Sequence, residues 1–216
     1  MTEHTLNVTQ YDDVNIEPHY QKQLRILILH WACRAQNTEC LEHSNNRLRQ
    51  YLNNSQSIHQ NVRAAILCNG MRNASAEDAS QLYEKLYTTE EANERTDIIV
   101  GLACTANTSI IDNLLVTSIG SNSEVAYRSI AERYRILSNM MGNGAVGTNA
   151  SIQFLLSYWP NVVNTFRNNI NGGVISIASF VVSEELETEV DFFRFFTVFL
   201  IINFLLVQQA FNFSCK

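Results

Sequence analysis

Cysteine and histidine are the side chains in this sequence whose spacing most directly limits their chemistry. The stretch HWACRAQNTEC, from His30 to Cys40, places two cysteines seven positions apart. Such residues can hold a metal ion, form a disulfide, or lie as free thiols in a core. Structural zinc sites usually pair their ligands as C-x-x-C or H-x-x-x-H, and the chain contains neither spacing. The pattern therefore argues against a metal site.

The geometry of the predicted helices favours two disulfides among the five cysteines. Cys33 ends one helix and Cys40 begins the next, so a bond between them would tie the hairpin at its turn. Cys68 and Cys104 lie 36 positions apart, about one predicted repeat, and equivalent helices of neighbouring repeats are adjacent. Cys215 is left over. Four buried free thiols remain compatible with the composition.

Helices are the elements that would position these side chains. The chain has 216 residues, is 46% hydrophobic, and contains two prolines, eight glycines and no useful alternating apolar runs. This composition predicts an all-α fold with a substantial core. A net charge of -6 without a basic cluster argues against nucleic acid as a partner.

Apolar residues at helical spacing and capping signals divide the chain into helices. Tyr20, Leu24, Leu27, Ile28 and Trp31 form one helix face. Capping boxes are predicted at Ser75 with Asp78 and at Thr88 with Glu91. A longer helix is predicted from Ser123 through Tyr127 to Met141, and another stripe, ending at Trp159, is predicted to stop at Pro160.

The helices follow one another in pairs of about 30 to 40 residues, which is typical of HEAT-like or armadillo-like repeats. We predict a superhelix of antiparallel helix pairs, with residues 1–17 as a lead-in, 18–193 as the helical-repeat domain and 194–216 as an apolar tail. The continuous apolar run from Phe195 to Val207 is about 13 residues, short of the roughly 20 that span a bilayer. A buried terminal helix and membrane association both remain open for the tail.

Acceptor sequences for N-linked glycans favour an extracellular protein. Six N-x-S/T sequences occur, at Asn7, Asn53, Asn73, Asn107, Asn149 and Asn212. The first residues contain no basic and apolar segments of a signal peptide. We therefore predict an extracellular or cell-surface location and a chain that is a fragment of a longer protein.

Five segments in order resemble a known domain. LRILILHWACRAQNTEC, NVRAAILCNGM, RTDIIVGLACT, FLLSYW and ISIASFVVSEELETEVDFF are similar to the C-terminal helical domain of zinc aminopeptidases of the aminopeptidase N type, the domain named after the endoplasmic-reticulum aminopeptidase. The resemblance covers about Pro18 to Phe193 and is nearest to insect membrane alanyl aminopeptidases. Both cysteine spacings match the two disulfides of that family.

The resemblance implies a domain without catalytic residues. In the family an upstream domain binds zinc through H-E-x-x-H and holds the substrate amine with G-A-M-E-N, and this chain contains neither motif. None of its five histidines lies in the metal motif: His4, His19, His30, His43 and His59. We expect no cofactor in this chain, zinc in the catalytic domain of a parent enzyme, and no peptide hydrolysis by the chain alone.

The resemblance also implies a partner and a role. The family's helical domain arches over the catalytic domain, closes the substrate chamber and contacts the distal part of the peptide. Arg128, Arg133 and Arg135 lie on a predicted helix that would line this concavity, so they are candidate peptide contacts. The alternative is a stand-alone secreted helical-repeat module that binds a peptide or protein in its concave face.

Overall fold

The computed structural model describes residues 18–120 and 127–166, and all regular secondary structure in these two ranges is α-helical. The predicted all-α class is confirmed. The predicted helical-repeat domain from residue 167 to 193 and the apolar tail lie outside the described residues. The described part contains eight helices: α1 His19–Arg34, α2 Thr38–Leu52, α3 Gln60–Met71, α4 Ala76–Thr88, α5 Ala92–Leu102, α6 Thr108–Ile119, α7 Ile130–Met141 and α8 Ala145–Phe166.

The helices pack in two rows. Helices α1, α3, α5 and α7 contact one another in chain order and form the first row. The second row consists of α2, α4, α6 and α8, in which α2 contacts α4 and α6 contacts α8. Contacts of α2 with α3, α4 with α5, and α6 with α7 join the rows. This layering agrees with stacked helix pairs, and the superhelical curvature stays a prediction.

The first-row helices run in the same direction, which gives the structure two distinct edges. Disulfide Cys68–Cys104 joins the C-terminal ends of α3 and α5, whereas Arg63 and Asp97 pair near their N-terminal ends. The Asn143 amide, just after α7, donates to the carbonyl of Ala103, just after α5 (2.6 Å). We call the side with the C-terminal ends of α1, α3, α5 and α7 the disulfide edge. The opposite side is the ionic edge.

One of the two predicted capping boxes is present. The Ser75 hydroxyl accepts from the backbone N–H of Asp78, whose carboxylate accepts in return from the N–H of Ser75. The box predicted at Thr88 with Glu91 is wrong. Thr88 is the last residue of α4, and its hydroxyl donates back to carbonyls of that helix. Glu91 itself caps α5, because its carboxylate accepts the N–H groups of Asn93 and Glu94.

The predicted start of the helix around Tyr127 is also wrong. Helix α7 begins at Ile130, where the Ser129 hydroxyl accepts from the backbone N–H of Glu132 (3.2 Å). Tyr127 precedes the helix and is nevertheless buried, with its ring edge-on to that of Tyr83. Arg128 likewise lies before the helix, and the predicted start at Ser123 lies outside the described residues.

A break at Tyr158 divides α8 into two helical segments just before Pro160. Helix α8 continues to Phe166, and the backbone leaves helical geometry at Tyr158 (φ -121°, ψ 20°). Proline has no N–H to donate and its ring crowds the carbonyl four residues earlier, so the break falls just before it. The first segment thus ends within two residues of the predicted stop at Pro160, and a second segment continues to Phe166.

Glycine allows close contact between α2 and α3. A Cβ atom added at Gly70 would lie 2.8 Å from the backbone oxygen of Ser44 and 2.9 Å from Cβ of Leu48. At Gly142, the residue just after α7, the nearest atom to such a Cβ is 3.7 Å away. Alanine therefore fits at Gly142 and overpacks the α2–α3 contact at Gly70.

We expect Gly70→Ala to lower the free energy of unfolding by about 1 to 3 kcal/mol, as overpacked cores do. The usual gain of about 1 kcal/mol for alanine over glycine in a helix would offset only part of this cost. Urea unfolding of Gly70→Ala and Gly142→Ala tests the expectation, because the second variant adds the same methyl group where space exists. A Gly70→Ala protein as stable as the wild type would contradict it.

The described residues leave four of the five residues of the predicted α1 face uncovered, whereas the fifth, Ile28, is partly buried against the core. Tyr20, Leu24, Leu27 and Trp31 are 67%, 41%, 54% and 56% exposed. The apolar face of a surface helix normally packs on the core. Here the core side of α1 is instead formed by Arg25, Leu29, Ala32 and Cys33. We call the four exposed residues the α1 stripe.

Candidate functional site

A network of charged side chains ties the helices together at the ionic edge. Arg63 of α3 donates through Nε to Asp97 (2.8 Å) and lies within 3.4 Å of Glu91 and 3.8 Å of Glu94. Tyr51 of α2 donates its hydroxyl to Glu94 (2.7 Å). The Arg63 side chain is only 11% exposed, so its charge is balanced within the protein rather than by solvent. The arrangement fixes α2, α3 and α5 relative to one another.

The pKa values of two groups in this network are raised by burial. Burial, followed by the hydrogen bond to Glu94, raises the pKa of Tyr51 well above its usual range. The phenol therefore stays protonated and donates at physiological pH. Burial also raises the pKa of Asp97, although the hydrogen bond from Arg63 acts in the opposite direction.

A second ion pair is buried between α4, α5 and α7. Arg95 has a 2% exposed side chain, and its guanidinium donates to both carboxylate oxygens of Glu132 at 2.8 Å. The same guanidinium donates to the carbonyls of Leu86 and Thr89 at the end of α4. Burial alone would raise the pKa of Glu132, but hydrogen bonds from Arg95 and from the backbone N–H of Arg128 lower it. One side chain thus joins three helices.

The three predicted peptide-contact arginines have different environments. Arg128 is 41% exposed and forms two 2.9 Å hydrogen bonds with the exposed carboxylate of Glu90, which lower the pKa of Glu90. Arg133 is half-buried and donates to the carbonyls of Ser118 and Gly120 at the end of α6. Arg135 is exposed on α7. Only Arg128 presents its guanidinium to an exposed carboxylate.

Two of these arginines line the same cavity. It measures about 670 Å³ and lies at the ionic edge, between the end of α6, the start of α7 and the C-terminal half of α8. Arg135 is not among the lining residues, so the structure brings together two of the three predicted contacts. The cavity is lined by Ile119, Gly120, Tyr127, Arg128, Ser129, Ile130, Arg133, Asn161, Asn164 and Thr165.

Both predicted disulfides are present. Cys33 is bonded to Cys40 and Cys68 to Cys104, with Cα–Cα distances of 5.2 Å and 5.0 Å. Cys215 lies outside the described residues. The free-thiol alternative for the four paired cysteines is therefore ruled out in this structure.

The described ranges contain no group of three or more histidine, cysteine, aspartate or glutamate side chains that could hold a metal ion. No helix in residues 18–120 and 127–166 is long and apolar enough to cross a membrane. The apolar run from Phe195 to Val207 lies outside these ranges.

Sequence reasoning missed two features, the buried ion pair of Arg95 with Glu132 and the exposure of the α1 stripe. Arg95 and Glu132 are 37 positions apart, and no local pattern connects them. For the α1 stripe a signal was present, since its helical spacing was recognised, but spacing does not tell which side of a helix finds the core. Both features depend on contacts between distant parts of the chain.

Comparison with known proteins identifies the domain. The family model described as "ERAP1-like C-terminal domain" matches residues 3–195. Aminopeptidase N of Plutella xylostella is 24% identical over 147 residues, which cover 68% of this chain and 15% of that protein. Glutamyl aminopeptidase of Homo sapiens is 26% identical over 163 residues, which cover 74% of this chain and 16% of that protein. The chain thus spans about one sixth of the length of these relatives. It belongs to the ERAP1-like C-terminal domain family found in aminopeptidases.

Proposed function

We propose that the chain is the non-catalytic C-terminal domain of an extracellular or cell-surface zinc aminopeptidase, where it closes the substrate chamber and helps to bind peptide. The catalytic residues and the zinc ion belong to the remainder of such an enzyme. The observation that carries the proposal is the α1 stripe, an apolar surface in a chain that matches only a small part of its aminopeptidase relatives.

The α1 stripe has the form of a helix face that packs on another protein surface. Its members are spaced by four, three and four residues, so they lie along one line of the helix. At 1.5 Å per residue the line is about 16 Å long. Large apolar side chains grouped in this way commonly mark an interaction site. The occupant we propose is the remainder of the aminopeptidase chain, to which a family member would be covalently joined.

Peptide binding is supported by the cavity at the ionic edge. Arg128 there is paired with Glu90, whose side chain is 85% exposed, so a peptide carboxylate can replace that partner. Arg133 is held in place by the carbonyls of Ser118 and Gly120. Its guanidinium is therefore already oriented along the wall of the cavity.

A complementation experiment tests the proposal. The aminopeptidase N of Plutella xylostella, lacking the segment that matches this chain, is secreted together with the full 216-residue chain, and alanine anilide hydrolysis is measured. We expect activity with both parts present and none above a metal-only blank with this chain alone. Leu24→Asp with Leu27→Asp should reduce the activity at least tenfold, because two charges would be buried in the contact.

The matched control places a charge on an equally exposed apolar residue of the second row. Tyr87 is 57% exposed on α4, and Tyr87→Asp should leave complementation near the wild-type level. Circular dichroism of each purified variant distinguishes lost contact from lost folding. Complementation that tolerates the α1 substitutions, or equal losses in both variants, would contradict a contact through the α1 stripe.

A further inference from the structure

The N-x-S/T sequences follow the two-row architecture. Each helix of the second row has one such sequence at or near one end, and these four lie within the described ranges. Asn53 directly follows α2, Asn73 lies two residues before the cap of α4, Asn107 caps α6, and Asn149 lies in the second turn of α8. No asparagine of α1, α3, α5 or α7 begins such a sequence. Within the described ranges, each of these sequences thus lies in or beside a helix of the second row, and Asn73 lies between the end of α3 and the start of α4.

Three of the four asparagines are open to solvent. Asn53, Asn73 and Asn149 are exposed, and no side-chain hydrogen bond within the described residues holds their carboxamides. Asn107 differs, because it is half-buried and its side-chain oxygen accepts the backbone N–H of Ile110 (3.3 Å). A glycan attached to the amide nitrogen can thus leave the surface freely at three positions. At Asn107 the carboxamide is part of the helix start.

The disulfides supply an independent observation about the compartment. Cys33–Cys40 and Cys68–Cys104 are structural bonds of the kind formed in the secretory pathway. N-linked glycans are attached in the same pathway. The chemistry that forms the two bonds and the chemistry that would modify the asparagines therefore occur together.

We propose that Asn53, Asn73 and Asn149 carry N-linked glycans and that Asn107 does not. The second row is then the solvent-facing side of the domain. The first row, which contains the α1 stripe, is the side left for protein contact, a consequence that rests on the proposed function. Bulky hydrated glycans on the second row are incompatible with a packed domain contact there.

A glycan map tests the modification sites. The full chain is expressed behind a secretion signal in cultured mammalian cells, and protein is purified from cells and medium. Peptide N-glycosidase then removes the glycans in ¹⁸O-labelled water, which converts each glycosylated asparagine to labelled aspartate. We expect labelled aspartate at 53, 73 and 149 in protein whose disulfides have formed, and unlabelled Asn107. Asn→Gln at each of the three positions should lower the apparent mass on a gel by the mass of one glycan, whereas Asn107→Gln should leave it unchanged.

An unlabelled asparagine among the three would overturn the assignment at that position. Labelling of Asn107 to the same extent as the other three would contradict the proposal that this half-buried asparagine is not glycosylated. The map needs no aminopeptidase, so its outcome is independent of the proposed function.

New glycans placed on each row test the proposal that the second row faces solvent and the first row contacts protein. Tyr87→Asn creates the acceptor N-T-T on α4, and Tyr20→Asn with Lys22→Ser creates N-Q-S on α1. In the complementation experiment we expect the α4 glycan to leave activity within twofold of the wild type and the α1 glycan to reduce it at least tenfold. Equal effects of the two glycans would overturn the orientation. Failure of the unmodified chain to complement would instead count against the proposed function.

Discussion

Replacement of Arg95 by methionine should lower the free energy of unfolding by about 3 to 5 kcal/mol, the usual cost of removing one partner of a buried ion pair. Its guanidinium holds both oxygens of Glu132 at 2.8 Å and also binds carbonyls at the end of α4. Methionine fills a similar volume but leaves Glu132 and two carbonyl groups without these donors. The contacts among α4, α5 and α7 should weaken together.

Urea unfolding at neutral pH measures this loss. The control is Arg128→Met, which removes an arginine of the same size from an exposed pair with Glu90. We expect that variant to unfold at nearly the wild-type urea concentration, because solvent screens exposed pairs. Equal losses for the two arginines would show that burial of Arg95 is not what makes its ion pair strong.

The same ion pair predicts a dependence on pH. The pKa of Glu132 is lower in the folded protein than in the unfolded chain, where glutamate titrates at about 4.3. Its contribution to stability is therefore fully present above that pH and is lost as the pH falls through the lower folded value. Asp97, with a raised pKa, contributes in the opposite sense over an overlapping range. The difference between wild type and Glu132→Gln isolates the first effect and should shrink below about pH 4.

Removal of the disulfide between α3 and α5 should also destabilise the domain strongly. Its two cysteines are 36 positions apart, and the loop-entropy model gives roughly 4 kcal/mol for a loop of this length. The bond between Cys33 and Cys40 closes a loop only seven positions long, for which the same model gives about 2.5 kcal/mol. Both bonds lie at the disulfide edge, so they differ mainly in loop length.

Paired alanine substitutions test this order. Urea unfolding of Cys68→Ala with Cys104→Ala should show the larger loss, and Cys33→Ala with Cys40→Ala the smaller one. All four positions are buried, so the two double variants remove comparable packing. An equal or larger loss for the short loop would contradict an explanation based on loop length.

The amino-acid sequence by itself determined the fold class and the domain, and it located several helices without fixing all their ends. Composition predicted the all-α class, two residue types three positions apart predicted the Ser75–Asp78 capping box, and the order of the motifs pointed to the aminopeptidase C-terminal domain. The disulfide pairs were also within reach, because Cys33 and Cys40 flank one helix–helix turn and Cys68 and Cys104 are about one repeat apart. These features depend on helix geometry and on spacing along the chain.

The tertiary structure alone decided which surfaces and charges meet. The spacing of Tyr20, Leu24, Leu27 and Trp31 is the same whether that face is buried or exposed, and packing of α1 on α3 through Leu29 and its neighbours left it outside. The folded chain also decided that the ion pair of Arg95 and Glu132 is buried. It likewise decided that Arg128 and Arg133, but not Arg135, line one cavity. A local pattern fixes where a side chain lies on its own helix. Its partner is fixed by contacts with residues far away in the sequence, which is why these features required the folded chain.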